Sequence, residues 1–78
     1  MNNNYTVDVL ETTDETADGC KAVKISKFFT ASSNEEAIKE TDKALKTFKY
    51  LNAILYKINH NDSRMKIAWW ADGKVEQT

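Results

Sequence analysis

Apolar positions between Ser33 and Asn52 recur with the period of an α-helix. At about 100° per residue, Ala37, Ile38, Thr41, Ala44, Leu45, Phe48, Leu51 and Asn52 share one arc of about 140°. The other positions from Glu35 to Tyr50 lie outside that arc, and all except Tyr50 are charged or Thr. Ser33 and Glu36 have the spacing of a capping box, in which the Ser oxygen accepts a free backbone N–H and the Glu reaches back. Glu35, Glu36 and Glu40 gather toward the positive end of this helix, and Lys43, Lys46 and Lys49 toward its negative end. Glu35/Lys39 and Asp42/Lys46 add favourable pairs four residues apart. The sequence therefore predicts one mid-chain helix, with Leu45 and Phe48 central to its buried stripe.

On both sides of the helix the period falls to two. Tyr5, Val7 and Val9 alternate with Thr6, Asp8 and Leu10, as in a strand with one buried face. Thr13 to Gly19 is polar and ends in the turn pair Asp18-Gly19. Lys21 to Thr30 follows as a second strand, with Val23, Ile25 and Phe29 inward; Lys27 interrupts its apolar side and suggests a bulge there. Beyond the helix, Ile54, Tyr56 and Ile58 form one face of a third strand, and Asn59 to Ser63 is a turn cluster. Met65, Ile67 and Trp69 alternate with Lys66, Ala68 and Trp70 in a fourth. Asp72-Gly73 makes another turn, and Lys74-Val75-Glu76 can add a short edge strand.

The order is strand, strand, helix, strand, strand. It predicts a single α+β domain over residues 1–78: a ββαββ antiparallel four-stranded sheet, with a short fifth strand allowed, and one helix packed on one face. The expected core is Tyr5, Val7, Val9, Val23, Ile25, Phe29, Tyr56, Ile58, Met65, Ile67 and Trp69 against the helix stripe. One helix leaves the other sheet face open. The alternation sends Leu10, Phe28, Leu55, Trp70, Lys24, Lys57 and Lys66 there. Aromatic residues mixed with Lys suit a binding surface, because rings supply contact area and Lys steers an anionic or acidic partner. A slip of one residue would instead bury Trp70 and expose Trp69.

Seventy-eight residues, 41% hydrophobic and 29% charged, fit one small globular domain rather than a disordered chain. Charge is unevenly spread. Residues 1–20 carry five acids and no base, whereas residues 21–66 carry ten bases against five acids. A DNA mimic would be acidic throughout and a dedicated DNA binder basic overall; the net charge of −1 fits neither. Lys39, Lys43 and Lys46 form a basic stripe on the exposed helix face, which reads as an ordinary solvated face paired with Glu35, Glu36 and Asp42.

Chemistry-bearing signatures are sparse. With two glycines, Gly19 and Gly73, no glycine-rich phosphate cradle is available. Cys20 and His60 are the sole Cys and His, too few for a transition-metal site, and Cys20 lacks the local context of a nucleophile. Asp14, Glu15 and Asp18 do not have calcium-loop spacing. The expectation is a protein without catalysis, metal or cofactor. The lone cysteine, the absence of a basic-then-apolar leader in Met1 to Tyr5, and the lack of an apolar run near the ~20 residues of a membrane span point to the cytoplasm.

The element order, and the run Trp69-Trp70-Ala71-Asp72-Gly73-Lys74, resemble some small phage-type anti-CRISPR proteins, in particular a group that inhibits type I surveillance complexes. The resemblance implies a non-enzymatic inhibitor that occludes a surface of a bacterial host complex. It assigns no functional residue. The partner-binding residues expected from the alternation alone are Trp70, Lys57, Lys66, Lys24, Phe28 and Leu55. The alternative is a small nucleic-acid-binding protein using Lys24, Lys57, Lys66 and Trp70. Either can be a monomer or a homodimer paired through sheet edges or open faces.

Overall fold

The computed structural model describes residues 2–10 and 23–77. Its elements are β1 (Asn3–Leu10), β2 (Val23–Ala31), α1 (Asn34–Phe48), β3 (Ala53–Ile58), β4 (Arg64–Ala71) and β5 (Lys74–Gln77). The strands form one open antiparallel sheet in the order β2-β1-β3-β4-β5. The expected α+β sheet-and-helix fold is therefore present, and the short fifth strand is real. The turn from Thr13 to Gly19 lies outside the described residues.

The helix begins as its sequence dictates. Ser33 sits in extended backbone and its hydroxyl accepts the Glu36 N–H at 3.2 Å. Glu36 reaches back one residue further than a capping box requires, taking the Ser32 N–H and hydroxyl. These two bonds hold the Glu36 carboxyl below its ordinary pKa. The helix stops at Phe48, earlier than the apolar stripe suggests. Lys49 turns left-handed at φ 61°, and the Tyr50 N–H returns to the Leu45 carbonyl at 2.9 Å, a Schellman closure built without glycine.

Only Ala37, Thr41 and Leu45 are buried on the helix, a narrower line than the predicted stripe. Phe48 is 66% exposed, contrary to its expected central place. The helix rolls its Ala37–Thr41–Leu45 line onto the sheet, and Phe48 is left on the flank facing β2. Two side-chain bonds anchor it. The Tyr5 hydroxyl donates to Asn34 at 2.8 Å, and the Trp70 indole N–H donates to Asp42 at 3.0 Å.

Strand pairing assigns the faces. Tyr5, Val7 and Val9 oppose Phe29, Lys27 and Ile25 on β2, and Lys57, Leu55 and Ala53 on β3. Leu55 and Ala53 in turn oppose Ala68 and Trp70 on β4. This is the helix side. Tyr5 stacks on Phe29 at 5.6 Å between ring centroids. Leu55, Ala53, Ala68 and Trp70 are buried. No bulge occurs at Lys27; the β1–β2 irregularity falls instead between Val9 and Leu10. A second bulge matters more. Leu55 pairs with Ala68 and Tyr56 with Lys66, so Ile67 is an extra residue in β4.

Asp72 and Gly73 close the β4–β5 hairpin, both at positive φ, as a two-residue turn requires. Gly73 at φ 82° also donates its N–H to the Leu51 carbonyl at 2.9 Å, tying the turn to the helix exit.

Candidate functional site

The open side of the sheet is built from the residues that alternate away from the helix. On β1 and β2 these are Thr6 and Asp8, opposite Phe28 and Ser26. On β3 they are Ile54, Tyr56 and Ile58, opposite Trp69, Lys66 and Arg64 on β4. Ile54, Tyr56, Ile58 and Trp69 are half-buried by one another, and Phe28 is 64% exposed. From Phe28 on β2 to Lys66 on β4 the face spans three strand spacings, about 14 Å. It is an aromatic and apolar cluster with Thr6 and Asp8 of β1 within it and Arg64, Lys66 and Glu76 around it.

The cations are already arranged over rings. The Lys66 ammonium lies 4.7 Å from the Trp69 ring centroid, and the Arg64 guanidinium 5.9 Å from that of Tyr56. Arg64 also approaches Asp8 at 3.8 Å, and Asp8 accepts the Ser26 hydroxyl at 2.7 Å. Thr6 stands between Phe28 and Tyr56 with no exposed surface, and its hydroxyl has no hydrogen-bond partner. A shallow depression of about 420 Å³ lies beside Phe28, bounded by Asn4, Thr30, Ile58 and Asp62 among others.

The structure divides the expected site residues. Phe28 and Lys66 lie on the open face. Lys24 is a β2 position whose side chain lies outside the described residues. Leu55 and Trp70 do not belong there. Both are buried on the helix side, Trp70 at 3% exposure with its indole bound to Asp42. Lys57, opposite Tyr5 and Met65, is also on the helix side. Two causes account for these corrections. The Ile67 bulge shifts the phase of β4, so Met65 and Trp70 share a side although they are five positions apart, an odd spacing that regular alternation would put on opposite sides. On β3 both alternating sets are apolar, and the smaller set, Ala53 and Leu55, meets Val9 and Val7 beneath the helix. Of the predicted core, Tyr56, Ile58 and Trp69 are thus on the open face. Val23's side chain lies outside the described residues.

Ile54, Tyr56, Ile58 and Arg64 are the open-face residues that sequence reasoning missed, and Trp69 lies outward as the one-residue slip anticipated. Adjacent tryptophans in a strand must face opposite sides, so a pair such as Trp69-Trp70 always offers one ring outward. The signal for which one was Asp42, an acid on the helix flank able to accept an indole N–H.

Among the described residues, no three of His, Cys, Asp and Glu come together to hold a metal. His60 is exposed in the Asn59–Ser63 turn. Cys20, Asp14, Glu15 and Asp18 lie outside the described residues. No helix among those described is long and apolar enough to cross a membrane. Comparison with protein-family models, with curated proteins and with solved structures returns no match. The functional reading therefore rests on the geometry of the sheet and on the resemblance in its sequence.

Proposed function

We propose that this is a non-catalytic binding protein that inhibits a bacterial host complex by direct contact through its open sheet face. One observation carries the reading: Tyr56, Trp69, Ile54 and Ile58 form an apolar cluster on β3 and β4 bordered by Arg64 and Lys66, and Phe28 stands exposed across Thr6 from Tyr56. Aromatic anchors inside a charged rim are the arrangement that makes a small surface adhesive, with rings supplying contact energy and cations guiding approach. The sequence resemblance names the first target to test, a type I CRISPR surveillance complex, and the setting is then the host-cell cytoplasm.

The test is a binding and DNA-targeting assay with a purified surveillance complex. The wild-type chain should bind the complex and block target recognition. Trp69→Ala and Phe28→Ala should each weaken binding by about 2 kcal/mol or more, as anchors do, while the folded sheet persists by circular dichroism. Absence of any binding removes the CRISPR target. Binding that survives both substitutions removes the open face.

A second reading is single-stranded nucleic acid binding, favoured by the cations held over Tyr56 and Trp69. Bases stack on exposed rings while neighbouring Lys and Arg meet phosphates. A salt titration separates the two. Phosphate contacts predict a steep loss of affinity for oligonucleotides as salt rises, whereas an apolar protein interface predicts a shallow one.

A further inference from the structure

The helix covers the sheet unevenly. On its β4 flank, Trp70 fills the space and bonds to Asp42. On its β2 flank a groove of about 450 Å³ remains, floored by Val7, Val9 and Phe29 and walled by Ile25 and Phe48. Ile25 is 40% exposed, so with Phe48 the groove offers apolar surface directly to solvent. Among the described residues β2 is also the end strand of the sheet, paired with β1 on one side alone. A nine-residue strand without proline, with no pairing along one edge among those residues and beside an apolar groove, can accept an added strand whose alternate side chains drop into that groove.

Charge specifies the added strand. The groove-side row of β2 reads Ile25, Lys27, Phe29. Lys27 is exposed and opposes Val7, which offers it no counter-charge. Glu40 stands across the groove, yet the two are not within ion-pair distance, and the ion pairs among the described residues are Lys46–Asp42 and Arg64–Asp8. A strand laid along β2 would place one side chain opposite each of these three residues on the groove side. The complementary order is apolar, acidic, apolar, at every second position. A second copy of β2 does not provide it. Val23–Ala31 contains no acid, and the full-length two-fold pairing sets Lys27 against the other copy's Lys27.

We propose that β2 and its groove take an extended acidic segment of a partner protein as a sixth strand, with a carboxylate opposite Lys27 and apolar side chains over Ile25 and Phe29. This surface is separate from the open face and does not depend on it.

The test is selection of random ten-residue peptides from a display library on the full chain, on Lys27→Glu and on Lys66→Glu. The expected result on the wild type is enrichment of an Asp or Glu flanked two positions away on each side by apolar residues. A synthetic peptide carrying the enriched sequence should bind Lys27→Glu at least about tenfold more weakly, because attraction becomes repulsion, and should bind Lys66→Glu as it binds the wild type. Its amide chemical-shift changes should concentrate on β2. The proposal is overturned by selection without enrichment, by enriched peptides that bind Lys27→Glu unchanged, or by peptides lost with Lys66→Glu instead. Concentration-dependent self-association of the wild type that Lys27→Glu abolishes would assign the edge to a second copy and overturn it too.

Discussion

Trp69 and Trp70 are chain neighbours with the same side chain, and the sheet gives them opposite work. Trp70 is closed under the helix, its N–H held by Asp42. Trp69 lies half-buried on the open side beneath the Lys66 ammonium. The two faces differ in the same way. The helix side sets small and branched residues, Ala53, Leu55 and Ala68, between the buried rings of Tyr5 and Trp70, and each ring is bonded to the helix. The open side gathers larger groups, Ile54, Tyr56, Ile58, Trp69 and Phe28, that nothing among the described residues covers. Total apolar area is thus a poor guide to which face is the core. Fit to the helix decides: rings with a hydrogen-bond partner on the helix, Tyr5 and Trp70, go under it, and the set of Ile54, Tyr56, Ile58 and Trp69 is left outside.

The sharpest way to break this contrast is Trp70→Ala. It should cost about 3–5 kcal/mol through lost burial and a residual cavity, a large share of the ~5–15 kcal/mol typical of a whole domain. Urea denaturation reads this directly, and an unchanged midpoint would contradict the buried assignment. Trp69→Ala should cost less, about 2 kcal/mol, because part of the ring remains in water. Equal losses from the two substitutions would erase the distinction between the faces.

Thr6→Val sharpens the comparison from the other side. The Thr6 hydroxyl is buried without a partner under Phe28 and Tyr56. Exchanging it for a methyl of the same shape should raise stability by about 1 kcal/mol, visible as a higher melting temperature. A loss would mean that the hydroxyl is hydrated on an open face less dry than its rings suggest.

The smallest effect is pH-dependent and belongs to the helix side. Asp42 is held below its ordinary pKa, first by the hydrogen bond from Lys46, then by that from Trp70. A carboxyl lowered on folding adds stability that is fully present above the ordinary value. That stability is lost as pH falls through the lowered folded value. Stability should therefore decline below about pH 4, and Asp42→Asn should flatten that decline. The slope that remains should include Glu36, whose pKa is lowered by its bonds to Ser32. An identical acid profile in Asp42→Asn would show that the carboxylate does not contribute through its charge.

Sequence patterning made the architecture legible because its cues were local and mutually consistent. Ser33 and Glu36 mark the helix start, Asp72-Gly73 marks a hairpin, and Tyr5, Val7 and Val9 mark the inward face of β1. The faces of β3 and β4 were not legible. Alternation identifies a buried face only when one set of residues is polar, and Ala53 to Ile58 has apolar residues in both sets. In β4 an extra residue changes the phase, and no residue type announces it. The helix exit failed for a related reason. Lys49 adopts a conformation that usually calls for glycine, so the stop at Phe48 carries no glycine signal. Phe28 and Lys66 were placed on the correct face because neither lies beyond an irregularity.

The Ile67 bulge has an evolutionary consequence. Before it and after it, β4 presents its side chains in opposite phase, so the outward tryptophan is set by whether Ile67 stays out of the ladder as much as by residue choice. Pairing Ile67 with Leu55, with the Arg64–Lys66 pairing kept, would turn Trp70 outward and Trp69 under the helix in one step, whereas deleting Ile67 would leave both where they are. Lineages could therefore exchange the recognition ring for the structural one without altering either tryptophan. Homologous chains should accordingly be aligned here through their pairing with Leu55 and Tyr56 rather than by matching the two tryptophans.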